Sequence, residues 1–408
     1  MMRSLVVVIV LLTGMGAAQV RAEEGKPPLH HLSASACGEC HQEIYLQWLG
    51  SMHSQSSALN DPIHKVMYAI QAGDPTQEDV KLKATGGYPV CLKCHAPNAA
   101  RDGKTKLDAV EAYGEGVTCV SCHTMLEFQG TVQGKEDSKP KMGSDAFTFS
   151  NMHLQGPNGA FAGKDPIHAP GSPTGETSVN AFPHQANGKL FKTSDICLGC
   201  HEKNVNPNGI PVCTTGPELT QSGNTVTCQS CHMPTINGFS DHSMAGGHSQ
   251  AKLKRGILMT MTGEKRGNGA AISVKLKNLL AHNYPTGAPF RFVVLKVVGL
   301  DAKGEVIWKN FVTNPVEEDP KGVLMLKLTD EADKPVPPML AKKIKGDSRL
   351  KPGEERNLDY DLPVSGIVKV RAELSYSLLL PPMIKQFDAE LPAEVKQPVQ
   401  VARTELDL

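Results

Sequence analysis

The apolar positions of this chain change their period near residue 252. From Cys37 the sequence reads as an amphipathic helix, with Ile44, Tyr45, Trp48, Leu49 and Met52 falling on one face. Later the pattern alternates. Phe290 to Leu300, the Asp301-Ala302-Lys303-Gly304 turn and Glu305 to Trp308 predict a β-hairpin. Val368, Val370, Ala372, Leu374 and Tyr376 alternate with Lys369, Arg371, Glu373 and Ser375, the signature of a half-buried strand. Several such strands in the last third predict a C-terminal antiparallel β-sandwich-like domain. At the other end, Arg3 precedes an apolar run from Leu5 to Leu12, and Val20-Arg21-Ala22 offers a small residue for cleavage. That run is far short of the ~20 residues that span a bilayer, and Gly14, Gly16 and Gln19 interrupt its extension. The expected organisation is a signal peptide over 1–22, a first domain over 23–252 and the sandwich-like domain over 253–408. The mature chain is then exported to the periplasm or cell surface with no transmembrane anchor.

Composition adds two constraints. Lysine plus arginine equals aspartate plus glutamate at 42 each, so no charge excess points to a nucleic-acid partner. Aromatic residues are scarce, at 5%, so something other than large rings must fill part of the interior.

Eleven cysteines in an exported chain first suggest disulfides. Their spacing says otherwise. Ten form C-x-x-C pairs: Cys37/Cys40, Cys91/Cys94, Cys119/Cys122, Cys197/Cys200 and Cys228/Cys231, and the next residues are His41, His95, His123, His201 and His232. C-x-x-C alone also suits a thioredoxin-like redox pair or half a zinc site, but neither needs a histidine to follow. With 15 histidines in 408 residues, five chance placements have a probability of about 10⁻⁷, so C-x-x-C-H reads as five covalent haem c attachments. Each thiol pair reaches the two vinyl groups of one porphyrin, and the adjacent imidazole becomes the proximal iron ligand. The first domain then holds one haem per roughly 46 residues, too little chain for a full side-chain core. An α-helical and irregular multihaem domain, cored by its porphyrins, is expected. Cys213 is left over and is read as a small buried hydrophobe.

Ten further histidines could supply sixth ligands: His30, His31, His53, His64, His153, His168, His184, His242, His248 and His282. If the helix from Cys37 persists, His53 stands ~18 Å along its axis from His41. It would then serve a neighbouring haem. The third and fifth motifs read Val117-Thr118-Cys119-Val120-Ser121-Cys122-His123 and Val226-Thr227-Cys228-Gln229-Ser230-Cys231-His232. This likeness has two readings, a duplicated two-haem unit or convergence around the attachment site.

These residues resemble the cytochrome c-552/c-554 domain family of multihaem cytochromes, relatives of the nitrifiers' tetrahaem electron carrier and of hydroxylamine oxidoreductase. The likeness runs over roughly 35–290. It rests on Trp48-x-x-Ser51-x-His53 after the first motif, Cys228-x-x-Cys231-His232-Met233-Pro234, His242-x-x-x-Gly246-Gly247-His248 and His282-x-x-Pro285-Thr286-Gly287. The resemblance implies distal ligands at His53, His248 and His282, with His168 and His242 next. Nitrite-reducing relatives carry C-x-x-C-K at one site, and this chain has no such motif. The leading expectation is therefore an electron carrier exchanging electrons with other redox proteins. An enzyme with one open haem acting on a small nitrogen or sulfur species is the first rival. The second is a self-associating subunit of an extracellular conductive filament, with His30 or His31 donated across subunits.

Overall fold

The structure, a computed structural model, describes residues 27–131, 141–158, 183–236 and 238–408. The expected signal peptide and His168 lie outside the described residues. Among those described, no helix is long and apolar enough to cross a membrane.

The first part consists of short helices joined by turns. α1 (Ala34–Gly38) and α2 (Gln42–Leu49) are separate elements, because His41 leaves the helical region at φ −110°, ψ 48°. α2 stops at Gly50, so the single long helix expected from Cys37 is broken twice. Trp48 is buried and donates its indole N–H to the Val117 carbonyl at 2.8 Å. α3 (Pro62–Gln71) starts where the Asp61 carboxylate accepts from the Ile63 N–H and Pro62 takes the first position, a standard N-cap arrangement.

Four of the attachment motifs are themselves helical turns: α4 (Leu92–His95), α5 (Cys119–His123), α6 (Asp195–His201) and, after α7 (Thr215–Gln221), α8 (Cys228–His232). α5 opens on a capping box. The Thr118 hydroxyl accepts from the Ser121 N–H, and the Ser121 hydroxyl accepts from the Thr118 N–H. In α8 the equivalent Thr227 and Ser230 hydroxyls lie 3.0 Å apart. The capping box forms at the third motif, whereas Thr227 makes no side-chain cap at the fifth.

From residue 257 onward antiparallel strands dominate. β1 (Ile257–Arg266), β2 (Gly269–Asn278) and β6 (Glu355–Leu362) form one sheet with β2 central. The second sheet runs β4 (Val306–Lys309), β3 (Phe292–Leu300), β7 (Lys369–Ser377), β8 (Val399–Asp407), with the two-residue β5 (Val323–Leu324) also pairing with β3. The expected hairpin is β3–β4, and the alternating strand is β7. One buried cluster draws on both sheets, including Val274 and Tyr360 from the first and Leu295 and Leu374 from the second. Before residue 252 the apolar clusters are smaller. One gathers Tyr68, Leu92, Leu107 and Tyr113 around the second motif, and another gathers Met125, Phe147 and Leu190. A further cluster joins the two parts of the chain, with Ile63 and Val66 of α3 packed with Leu379, Met383 and Phe387.

Candidate haem sites

The fold brings thiols of different motifs together. Cys37 and Cys119, Cys94 and Cys200, and Cys197 and Cys228 are close neighbours, near enough for one thiol to perturb the ionisation of the other. Cys122 lies near enough to Cys200 for their charges to interact. The fourth motif therefore touches the second, third and fifth, while the first touches the third. The Ser194 hydroxyl, accepting from the Cys228 N–H at 3.1 Å, couples α6 directly to α8.

The ten attachment thiols differ in exposure. Cys40 and Cys231 are exposed, whereas the other eight motif cysteines are half-buried. Cys40 lies in the turn between α1 and α2, just before His41 leaves the helical region, and that turn carries the side chain to the surface. Cys231 sits in the last turn of α8 with its carbonyl bonded by the Lys252 ammonium. In each pair the first thiol, Cys37 or Cys228, is the one turned inward against another motif. The first and fifth sites thus each expose one thiol, while the fourth exposes its histidine, His201.

The histidines show a second regularity. Nδ1 of His95, His123, His232, His242 and His282 lies 2.7–3.1 Å from a backbone carbonyl, of Ser56, Gln155, Ala245, Ser240 and Asn283 respectively. A carbonyl oxygen only accepts, so Nδ1 carries the hydrogen and Nε2 keeps its lone pair. This is the tautomer a metal-binding imidazole needs. His53 achieves the same with a different partner, its Nδ1 lying 2.6 Å from the Met244 sulfur.

Three pairs of these rings face one another. His53 and His201 have centroids 6.2 Å apart, His123 and His242 6.4 Å, and His232 and His282 6.4 Å. An iron bonded to two Nε2 atoms at about 2 Å, with each ring centre about 1 Å further back, needs a separation of about 6 Å. The spacing fits that requirement and is too wide for direct ring stacking. Each pair joins a motif histidine to one outside the motifs, so the residues fit a haem held through two thioethers and two imidazoles. Burial pushes His53 down to about 3, helped by the neighbouring imidazoles of His201, His95 and His232. Burial likewise brings His123 to about 4 and lowers His232 and His242. These rings are therefore neutral at neutral pH, the form that binds metal.

The remaining candidates are placed differently. His64 lies beside His95, with centroids 4.1 Å apart and both Nδ1 atoms on the one Ser56 carbonyl, too close for an iron between them. His64 Nε2 is buried with no hydrogen-bond partner. His248 is near the Arg291 guanidinium, and burial followed by that positive charge lowers it to about 4. Among the described residues no imidazole stands ring to ring with His248. His41 is close enough to His123 to affect its charge. His184 lies against Gly156, where an added Cβ would sit 2.6 Å from its Nε2. His30 and His31 both meet Asp102 of their own chain, at 2.9 and 2.6 Å, and the Tyr113 hydroxyl joins the same carboxylate. The Cys213 sulfur rests 4.0 Å from the Thr215 hydroxyl, and burial pushes its thiol pKa up.

Five attachment motifs and facing imidazole pairs define a multihaem c-type cytochrome. The family model for cytochrome c554 and c-prime matches residues 36–124. The crystal structure of a penta-haem cytochrome c552 from Thermochromatium tepidum is 43% identical, with a TM-score of 0.87 over 94% of this chain and 100% of that one. A structural-genomics target at 9% identity superimposes with a TM-score of only 0.18. No curated protein sequence matches the chain significantly. The chain belongs to the cytochrome c552/c554 family, and it carries five covalently bound haem c groups.

Sequence reasoning listed His64 among the spare histidines without singling it out, although Asp61-Pro62 marks a helix start and places His64 four residues before Tyr68, on the buried side. It missed two residues at these sites. Met244 and Glu218 gave no local signal.

Proposed function

We propose that the chain is exported to the periplasm or cell surface and relays electrons between a donor and an acceptor redox protein. The observation that carries this reading is the set of three imidazole pairs at iron-spanning distance. In this reading His53, His242 and His282 are the distal partners of His201, His123 and His232. His168 and His248 are the sequence's further candidates for distal ligands, and the other motif histidines are His41 and His95. Bound haem supplies a one-electron iron couple, and a second imidazole closes the iron to substrate and favours the ferric state more than methionine does. The protein's own contribution is to bury the imidazoles of His53, His123, His232 and His242, which favours their neutral, metal-binding form. It also packs the motifs so closely that thiols of different ones are neighbours. The exposed Cys40 and Cys231 support entry and exit of electrons at the first and fifth sites, where a bound haem would come nearest a docked partner. The domain division at residue 252 belongs to this proposal, as does a sandwich made of the two sheets, which their shared buried cluster supports. Electron paramagnetic resonance of the oxidised protein tests it: at least three irons should be low-spin. Fewer than three low-spin irons would remove its basis.

A second reading, an open iron at the His95 site acting on a small nitrogen or sulfur species, is favoured by the placement of His64. Its ring lies beside His95 rather than across from it. Carbon monoxide added to the reduced native protein separates the two readings. Stoichiometric binding supports the open site, and no binding leaves the carrier.

A further inference from the structure

Glu218 belongs to α7, in the first part of the chain just ahead of the fifth motif, and is only 4% exposed. A carboxylate so deeply buried is stable only when its oxygens are satisfied. One oxygen accepts from the Thr214 hydroxyl at 2.7 Å and from Arg349 Nη1 at 2.8 Å. The other accepts from the Asn283 backbone N–H at 3.1 Å and from the Thr286 hydroxyl at 2.5 Å. The last two donors sit in the turn that begins with His282. The far side of that turn is tied independently: Asn278 Nδ2 donates to the His282 carbonyl at 2.8 Å and to the Leu350 and Lys351 carbonyls. Arg349 is in turn gripped by Asp347 through two parallel hydrogen bonds, 2.9 and 2.8 Å long.

His282 thus hangs between Asn278 at the end of β2 and two side chains of α7: Glu218, and Thr215, whose hydroxyl lies 3.1 Å from that of Thr286. Glu218 is the described side chain of the first part that grips this turn on both a backbone and a side-chain donor. Its length therefore sets where the His282 ring stands relative to His232. We infer that Glu218 is a positioning residue for the sixth ligand of the fifth haem, fixing the His282 imidazole at its iron through Asn283 and Thr286. The inference rests on the reading that His282 ligates that iron.

The test uses holoprotein throughout, with His282→Ala as the reference for an opened fifth site. In that variant one iron should turn high-spin and bind one carbon monoxide per chain. In Glu218→Ala and Glu218→Gln the same iron should remain ligated but exchange carbon monoxide for histidine about tenfold faster than wild type or more, the change expected from losing one hydrogen bond to a charged group. The reduction potential of that haem alone should move, and Glu218→Asp should restore part of the native behaviour. If Glu218→Ala does not mature with five haems, Glu218→Gln and Thr286→Val, which removes one grip with little change of shape, make the same measurement. Wild-type exchange rates and potentials in the Glu218 and Thr286 variants, with His282→Ala opening the iron, overturn the positioning role and leave the ligand reading intact. An unchanged spectrum in His282→Ala overturns both.

Discussion

Replacing His53 by alanine tests the imidazole pairs most directly. Its ring stands 6.2 Å from that of His201, and burial keeps it neutral. Under the proposed ligation, deleting the ring would leave an imidazole-sized gap opposite His201. Five haems contribute to the spectrum, so about one-fifth of the haem absorbance should shift from low-spin to high-spin character. Reduced protein should bind about one carbon monoxide per chain. Met244 complicates the variant in a useful way. Its sulfur already lies 2.6 Å from His53 Nδ1, and a thioether is itself an axial ligand that raises the potential. His53→Ala and His53→Ala/Met244→Ala should therefore be compared by electron paramagnetic resonance, carbon monoxide titration and redox potentiometry. Swinging in of Met244 appears as a low-spin haem of raised potential in the single variant that becomes high-spin in the double. If both variants keep every low-spin signal and bind no carbon monoxide, His53 is not an iron ligand and the spacing argument fails for all three pairs.

Other outcomes are expected. The intact mass of the mature holoprotein should exceed its polypeptide by five haem masses, and a stable stoichiometry of four would contradict the attachment reading. Leu295 is fully buried in β3, so Leu295→Ala should cost about 2–5 kcal/mol of stability. Its thermal transition should fall while the room-temperature haem spectrum stays native, and a loss of haem signal in parallel would show the two parts unfold as one. Burial opposes ionisation of Asp102, but hydrogen bonds from Tyr113, His31 and His30 outweigh it and bring the carboxyl down to about 2. A depressed carboxylate contributes stability that is full above its unfolded pKa of about 4 and is lost as pH falls towards about 2. Protection of residues 27–31 against hydrogen exchange should therefore weaken across that interval in wild type, and be weak at pH 6 already in Asp102→Asn.

How much of this was legible beforehand depends on how far apart the interacting residues lie. The attachment sites are local patterns and could be read directly, as could the β3–β4 hairpin and β7, where alternation reports burial within one strand. The motifs do not say which of their thiols face outward; Cys40 does so because of a turn that the helical period had hidden. Family likeness puts His53, His248 and His282 first and His242 after them, and the structure stands His53, His242 and His282, but not His248, across from a motif histidine. The helical argument for His53 did not hold, because α2 ends at Leu49. His53 faces His201 through loop geometry that periodicity does not encode. His248 and His64 show the limit from the other side. Both are histidines near motifs, and only three-dimensional placement separates one beside Arg291 from one beside His95. Glu218 was invisible because its partners Asn283 and Arg349 are 65 and 131 residues away.

The touching thiols carry a consequence for how the molecule is made. Cys37 with Cys119, Cys94 with Cys200 and Cys197 with Cys228 are neighbours only once the chain has folded. In an oxidising compartment, contact between free thiols of different motifs invites disulfides that would block two attachment sites at once. A cross-link formed on folding competes with attachment at both motifs, and each thioether formed first removes one wrong partner. The compactness of the finished protein thus favours attachment ahead of folding.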